Sequence, residues 1–236
     1  MIIKNRKFLL IISICIIFIA TLTVSFCLLS HDTITSNNSE TISILLGSTD
    51  YGNVVKEGPL GNTSSNVTIA YVVGVHPLES NAHLAAVEAI KAHNSSLKYR
   101  YYIYHVNVTK DADDYTNGRY NGQLLAKNFI VPDAVKQKFQ LVVDVHSNVG
   151  NWAENLFIFA PVSGSSSESI GKEISSKMPW LTYYVPPNPT SLEYLTIPLI
   201  NSGVPSVIYE TYSKEPYQTT RDHADEFIKT VDNLNF

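Results

Sequence analysis

Cysteine is nearly missing from this chain. Only Cys15 and Cys27 carry a thiol among 236 residues, and both fall inside one apolar stretch near the N-terminus. The chain beyond them has no disulfide, no thiolate nucleophile and no thiolate metal ligand. Charge is thin too: Lys, Arg, Asp and Glu make up 16 % of the residues, and no basic run stands out. A nucleic-acid binder needs clustered cations to meet phosphates, so that class is set aside. The net charge of −4 hides a more acidic remainder. Taking Lys4, Arg6 and Lys7 from the 17 basic residues leaves 14 against 21 acidic ones, or −7.

Those three cations precede 22 positions, Phe8 to Leu29, without a charge. Such a run crosses a bilayer and exceeds most signal-peptide cores. The basic flank predicts that the short N-terminus stays in the cytoplasm and the rest lies outside. No small-x-small cleavage site follows, and bulky Phe26 before Cys27 argues against a lipoprotein. The reading is an uncleaved anchor over 1–29, a flexible polar stalk over 30–41, and a folded domain over 42–236, single-pass in the cell membrane with the C-terminal domain outside. Sequons at Asn37, Asn62, Asn66, Asn94 and Asn107 are compatible with export.

Length allows one domain with a full core. Strands are expected at 42–46, 67–75, 99–108, 141–145, 156–160, 181–185 and 205–209. Helices are expected at about 81–91, 123–138 (broken by Pro132), 166–177, 191–201 and 221–234. Gly52 to Ser65 and Lys110 to Gly122, rich in Gly and Asn, read as loops. Strands alternate with helices, and several strands are apolar throughout. That pattern predicts an α/β fold with a mixed, largely parallel sheet between two helical layers.

In such sheets ligands bind outside the carboxyl ends of the strands. Three candidates emerge there from separate strands. The run Ile69 to Val75 delivers His76-Pro77-Leu78-Glu79, Leu141 to Val145 delivers His146, and Pro205 to Tyr209 delivers Glu210. Two imidazoles and a carboxylate are a common catalytic zinc set that leaves one position for water, and a further carboxylate beside it can take the water's proton. The plainer alternative makes His76 a strand cap and Glu79 the acidic opening of a helix, favoured by the dipole. Asp144 or Ser147 can orient His146, as metal-bound imidazoles require.

Gly74-Val75-His76-Pro77-Leu78-Glu79, Val143-Asp144-Val145-His146-Ser147 and Val207-Ile208-Tyr209-Glu210, in that order, resemble the signature stretches of the zinc carboxypeptidase superfamily. The Asp-x-His-Ser form is similar to its succinylglutamate desuccinylase/aspartoacylase-like branch. The resemblance implies Zn²⁺ held by His76, Glu79 and His146, Glu210 as general base, and an α/β sandwich. Two departures stand out. Pro77 replaces a glycine, and no adjacent Asn-Arg pair, which would hold a substrate carboxylate, occurs between the first two stretches. Arg100 and Arg119 are the arginines there. Arg119, in Asn117-Gly118-Arg119-Tyr120-Asn121, is the candidate for polarising a carbonyl or binding a carboxylate, with Asn117 beside it. Tyr194 and Tyr212 are candidates for an oxyanion contact, and Trp152 for a pocket wall.

The expected function is an outward-facing, zinc-dependent hydrolase of amide bonds, carboxypeptidase-like, acting on peptides or cell-envelope peptides. Its rivals are a deacylase of small N-acyl amino acids and a non-catalytic envelope-attached binding domain that keeps the fold.

Overall fold

The computed structural model describes residues 41–236. The anchor over 1–29 and the stalk, except Thr41, lie outside the described residues. Among these residues no helix is long and apolar enough to cross a membrane. The elements in chain order are β1 (Ile42–Thr49), β2 (Gly52–Gly61), β3 (Thr68–Val73), α1 (Ser80–Ala92), β4 (Arg100–Val108), α2 (Asn117–Leu125) and α3 (Val131–Gln137). They continue with β5 (Leu141–Asn148), β6 (Phe157–Phe159), α4 (Ser166–Ser176), β7 (Thr182–Tyr183), α5 (Thr196–Asn201), β8 (Ser206–Tyr212) and α6 (Tyr217–Asp232).

The eight strands form one mixed sheet in the order β1-β2-β4-β3-β5-β8-β6-β7. Its centre, β4-β3-β5-β8, is parallel, and β6-β7 are parallel to each other. The contacts β1-β2, β2-β4 and β6-β8 are antiparallel. Central strands are apolar on both faces because helices cover both. Ile69, Tyr71 and Val73 pack with Leu141, Val143 and Val145 under α1, α4 and α6. Ala70, Val72 and Val142 pack oppositely with Leu125, Ile130, Ala134 and Leu199, from α2, α3, α5 and the turn between α2 and α3. The expected sandwich is what forms.

Two expected loops are structured. Gly52–Gly61 is a strand whose alternate residues, Val54, Lys56 and Leu60 among them, are buried. It is paired on both sides, so neighbouring strands outweigh its Gly/Asn composition. Lys56 lies inside because Asp133 meets its ammonium at 2.8 Å. The second loop ends early, since α2 starts at Asn117. A Cβ on Gly122 would stand 2.0 Å from the Val75 carbonyl oxygen, so only glycine lets α2 lie against the end of β3. Nor does Pro132 break a helix. It sits in the first turn of α3, where a missing N–H is harmless, and the π-turn Ala126–Ile130 joins α3 to α2. Residues 191–201 divide into a 3₁₀ turn, Leu192–Tyr194, and α5. The expected strand at 181–185 shrinks to the two residues of β7.

Candidate metal centre and active site

Because β3, β5 and β8 are parallel neighbours, their carboxyl ends reach one rim together. Within β5, Asp144, His146 and Asn148 alternate with the apolar positions, so they face the α2 side. Glu210 is the register partner of His146, and Ile208 that of Asp144, so these four share a face. At the end of β3 the chain turns at Gly74, whose φ of +89° and contact with the Val106 carbonyl leave no room for a Cβ. Past this turn His76 and Glu79 point into the same space.

Glu79 is the hub. Its Oε1 is 2.9 Å from His76 Nδ1 and accepts from Arg119 Nη1 at 2.7 Å. Its Oε2 is 2.9 Å from His146 Nδ1 and accepts from the Ser147 N–H at 3.0 Å. His76 and His146 are 2 % and 3 % exposed, with ring centroids 4.3 Å apart. One donor atom from each of His76, Glu79 and His146 lies within 4.8 Å of the other two, close enough to meet on one ion.

The protons fit a cation here. Burial alone would deprotonate His146, but Asp144 and Glu79 outweigh it and hold the imidazole charged well above its usual range. Burial also disfavours an ionised Glu79, yet the two imidazoles keep it ionised, well below the carboxylate norm. His76 is pushed down to about 4, by burial first and then by the charge on His146, and stays neutral. Neutral His76 must then donate Nδ1–H to Glu79, and its Nε2 accepts from the Gln123 amide at 3.3 Å. An ion held by His76, Glu79 and His146 would take the place of the His146 Nδ1 proton, and the donor chemistry suits one divalent ion.

Outer partners complete the set. Asp144 Oδ2 lies 3.0 Å from His146 Nε2, off the N–H axis, so the pair is an ionic contact rather than an aligned hydrogen bond. His83, one turn past Glu79, donates Nε2–H to the Val145 carbonyl at 3.2 Å and supports β5 from behind. Arg119 holds its Cζ over the Tyr115 ring, 4.9 Å from the centroid. Glu210 is half-buried, but its Oε2 is fully shielded and unpartnered. Burial raises its pKa to about 7, with Glu79 and Asp144 adding to the rise while His146 and Asn148 oppose it.

A cavity of about 430 Å³ opens over this rim, lined by His76, Glu79, Arg119, His146 and Glu210 and, further out, by Trp152. Asn117 and Tyr194 do not line it. Asn117 is exposed and two residues from Arg119, on another side of α2. Tyr194 packs edge-on against Tyr120 at 6.0 Å, with Lys127 over its ring. Both expected substrate contacts thus lie outside the cavity lining. Gln123 is the group the sequence reading passed over, although it stands one helical turn after Arg119.

The mixed sheet with helices on both faces is a metallo-carboxypeptidase-like fold, the His-Glu-His cluster at its parallel centre fits that fold, and the resemblance read from the three stretches holds for the fold. No family model and no curated protein matches the sequence. Among solved structures, the chain is similar to a metallo-carboxypeptidase from Burkholderia cenocepacia, with TM-score 0.54 and 12 % identity over 82 % of this chain and 64 % of that one. A Pseudomonas aeruginosa metallo-carboxypeptidase gives 0.53 and 11 % over 80 % and 62 %. The product-bound cell shape determinant protein Csd4 of Helicobacter pylori gives 0.54 and 11 % over 77 % and 54 %. The chain thus spans less than two thirds of the length of each of these.

Proposed function

We propose that this chain is a metal-dependent hydrolase of amide bonds in peptides, carboxypeptidase-like in its metal chemistry, with zinc as the ion. One observation carries the reading: two imidazoles and a carboxylate converge within 4.8 Å, and a shielded carboxyl poised at about 7 shares their cavity. A zinc ion held by His76, Glu79 and His146 would supply a Lewis acid for the carbonyl oxygen and acidify water. Glu210 accepts the proton of the attacking water and passes it to the leaving nitrogen, and its pKa near neutrality suits both transfers. Arg119 fixes Glu79 and adds positive potential where the carbonyl oxygen gains charge. Asp144 and Gln123 hold the two rings in orientation.

The same proposal places the domain outside the cell on a single-pass anchor. The 22 uncharged residues behind Lys4, Arg6 and Lys7 support this, and they make envelope or extracellular peptides the natural substrates. The test uses the full chain purified in detergent. One zinc per chain is expected by elemental analysis, lost in His146→Ala, with peptide cleavage abolished in Glu210→Gln while zinc is retained. A folded wild type that takes up no zinc overturns the reading. Bound zinc without any turnover points to the binding domain, and turnover of N-acyl amino acids alone to the deacylase.

A further inference from the structure

The sheet has two edges, and they are guarded unequally. At one end β7 is two residues long, too short to template another strand. At the other end β1 runs for eight residues, and among the described residues β2 is its only strand neighbour. The far side of β1 presents a row of backbone N–H and C=O groups, a template for an extended chain. Sheets ordinarily protect such a row with lysine, proline, an inward charge or a bulge. β1 carries no charged residue and no proline. It does carry a bulge, between Leu45 and Gly47, where the Phe129 ring fills the place of a side chain at Gly47. That device guards only the second half of the strand.

The first half, Ile42 to Leu45, keeps a regular register with Gly58 to Val55. Its apolar side chains stand in water: Ile42 is 54 % exposed, Ile44 48 % and Leu45 61 %. Ile42 and Ile44 share the face of their partners Gly58 and Lys56, and Leu45 lies on the other face with Val55. The edge is therefore apolar on both sides of the sheet. A helix or loop laid along it would leave the backbone row unpaired, so the fitting partner is an extended strand. A charged strand would press its charges against three aliphatic side chains and lose their water. The strand with matching chemistry is β1 itself. Turned about a two-fold axis normal to the sheet, two copies pair their edges antiparallel and bring aliphatic side chains together on both faces.

We propose that β1 is the contact surface for a second copy of this chain, with Ile42 to Leu45 of two protomers paired antiparallel so that one sheet runs through both. The anchor proposed above would hold copies in one membrane and raise their effective concentration, so a short pairing suffices. Nothing else in the pairing depends on the hydrolase reading. Two strands, β2 and β4, separate β1 from β3, and no β1 residue lines the cavity, so each protomer keeps its own open site.

The test uses the full chain purified in detergent. Sedimentation equilibrium at concentrations up to about 100 µM is expected to show monomer and dimer in exchange. The double variant Ile42→Lys/Leu45→Lys is expected to raise the dimer Kd by about thirtyfold or more, because each protomer then brings two ammonium groups into one contact. Both positions are exposed, so zinc content and melting temperature should hold. A wild type that stays monomeric, one that grows into open-ended aggregates, or a dimer that survives both lysines overturns the pairing. A second measurement needs no added charge. On a Cys15→Ser/Cys27→Ser background, a short bis-maleimide is expected to join protomers through Ile42→Cys, Ser43→Cys, Ile44→Cys or Leu45→Cys, and to leave Thr182→Cys on the opposite edge unlinked. No link at any β1 position, or equal linking at Thr182, refutes the contact. None of these readouts involves zinc or turnover, so the hydrolase reading stands or falls separately.

Discussion

Strand β5 has two faces with opposite duties. Leu141, Val143 and Val145 look toward α1 and α6 in a largely apolar core, while Val142, Asp144, His146 and Asn148 look toward α2. The second face begins apolar and turns polar over three alternate residues as the strand runs to its carboxyl end. One strand thus anchors the fold on one side and aims an imidazole on the other. The difference shows where tolerance should lie. Loss of volume on the first face is a matter of packing, and loss of a group on the second is a matter of chemistry with the core untouched.

Glu210→Gln should give the largest effect of that kind. It removes the base but keeps shape, and turnover should fall by about 10²–10⁴-fold with zinc content and melting temperature retained. A variant that keeps its rate would move the base elsewhere. Leu141→Ala, on the packed face and fully buried, should cost about 2–5 kcal/mol in urea unfolding while zinc affinity is preserved. Zinc lost at native temperatures, with the fold still intact, would mean that the two faces are not independent. Gln123→Ala should weaken zinc binding by about 10–100-fold in competition with a chelator, because His76 loses the partner that fixes its ring. If His76 Nδ1, which faces Glu79, were to meet the ion, the ring proton would sit on Nε2 and the Gln123 amide would present its oxygen. Gln123→Glu should therefore restore affinity, which a purely structural role would not explain.

Much of the rim was legible because three apolar runs each stop at a polar group. His146 and Glu210 follow their apolar runs near the carboxyl ends of buried parallel strands, where such sheets bind ligands. What stayed hidden was the helix that closes the site. Asn117, Gly118, Asn121 and Gly122 look like a turn, and their helical form depends on Gly122 meeting the Val75 carbonyl, a tertiary fact. With α2 unseen, the i,i+4 spacing of Arg119 and Gln123 carried no weight, and Asn117 was grouped with Arg119 by nearness in sequence. Two residues along a helix lie on different sides, and of the two only Arg119 lines the cavity. β2 was missed similarly, since only pairing with β1 and β4 makes its composition acceptable in a strand.

The smallest effect sharpens the comparison further, because it separates the protons of the site from those of the core. Without metal, native His76 and His83 are held at about 4, chiefly by burial, against 6.5 when unfolded. Their folded values are depressed, so their contribution is present above 6.5 and lost as pH falls toward 4. Glu210 runs the other way. Its folded value of about 7 lies above 4.5, so its contribution is present below 4.5 and lost as pH rises to 7. Between about 4.5 and 6.5 the native state therefore holds one proton fewer than the unfolded chain, and stability climbs by about 1.4 kcal/mol per pH unit. Above 6.5 the unfolded histidines are neutral while native His146 keeps its proton, so stability declines as pH rises further. Chelated protein should melt highest near pH 6.5. With zinc the ion replaces the His146 proton, its binding strengthens with pH, and the alkaline decline should vanish up to pH 8. A chelated sample whose melting temperature keeps rising to pH 8 would remove the imidazolium from His146, and with it the argument that a proton marks the place of the ion.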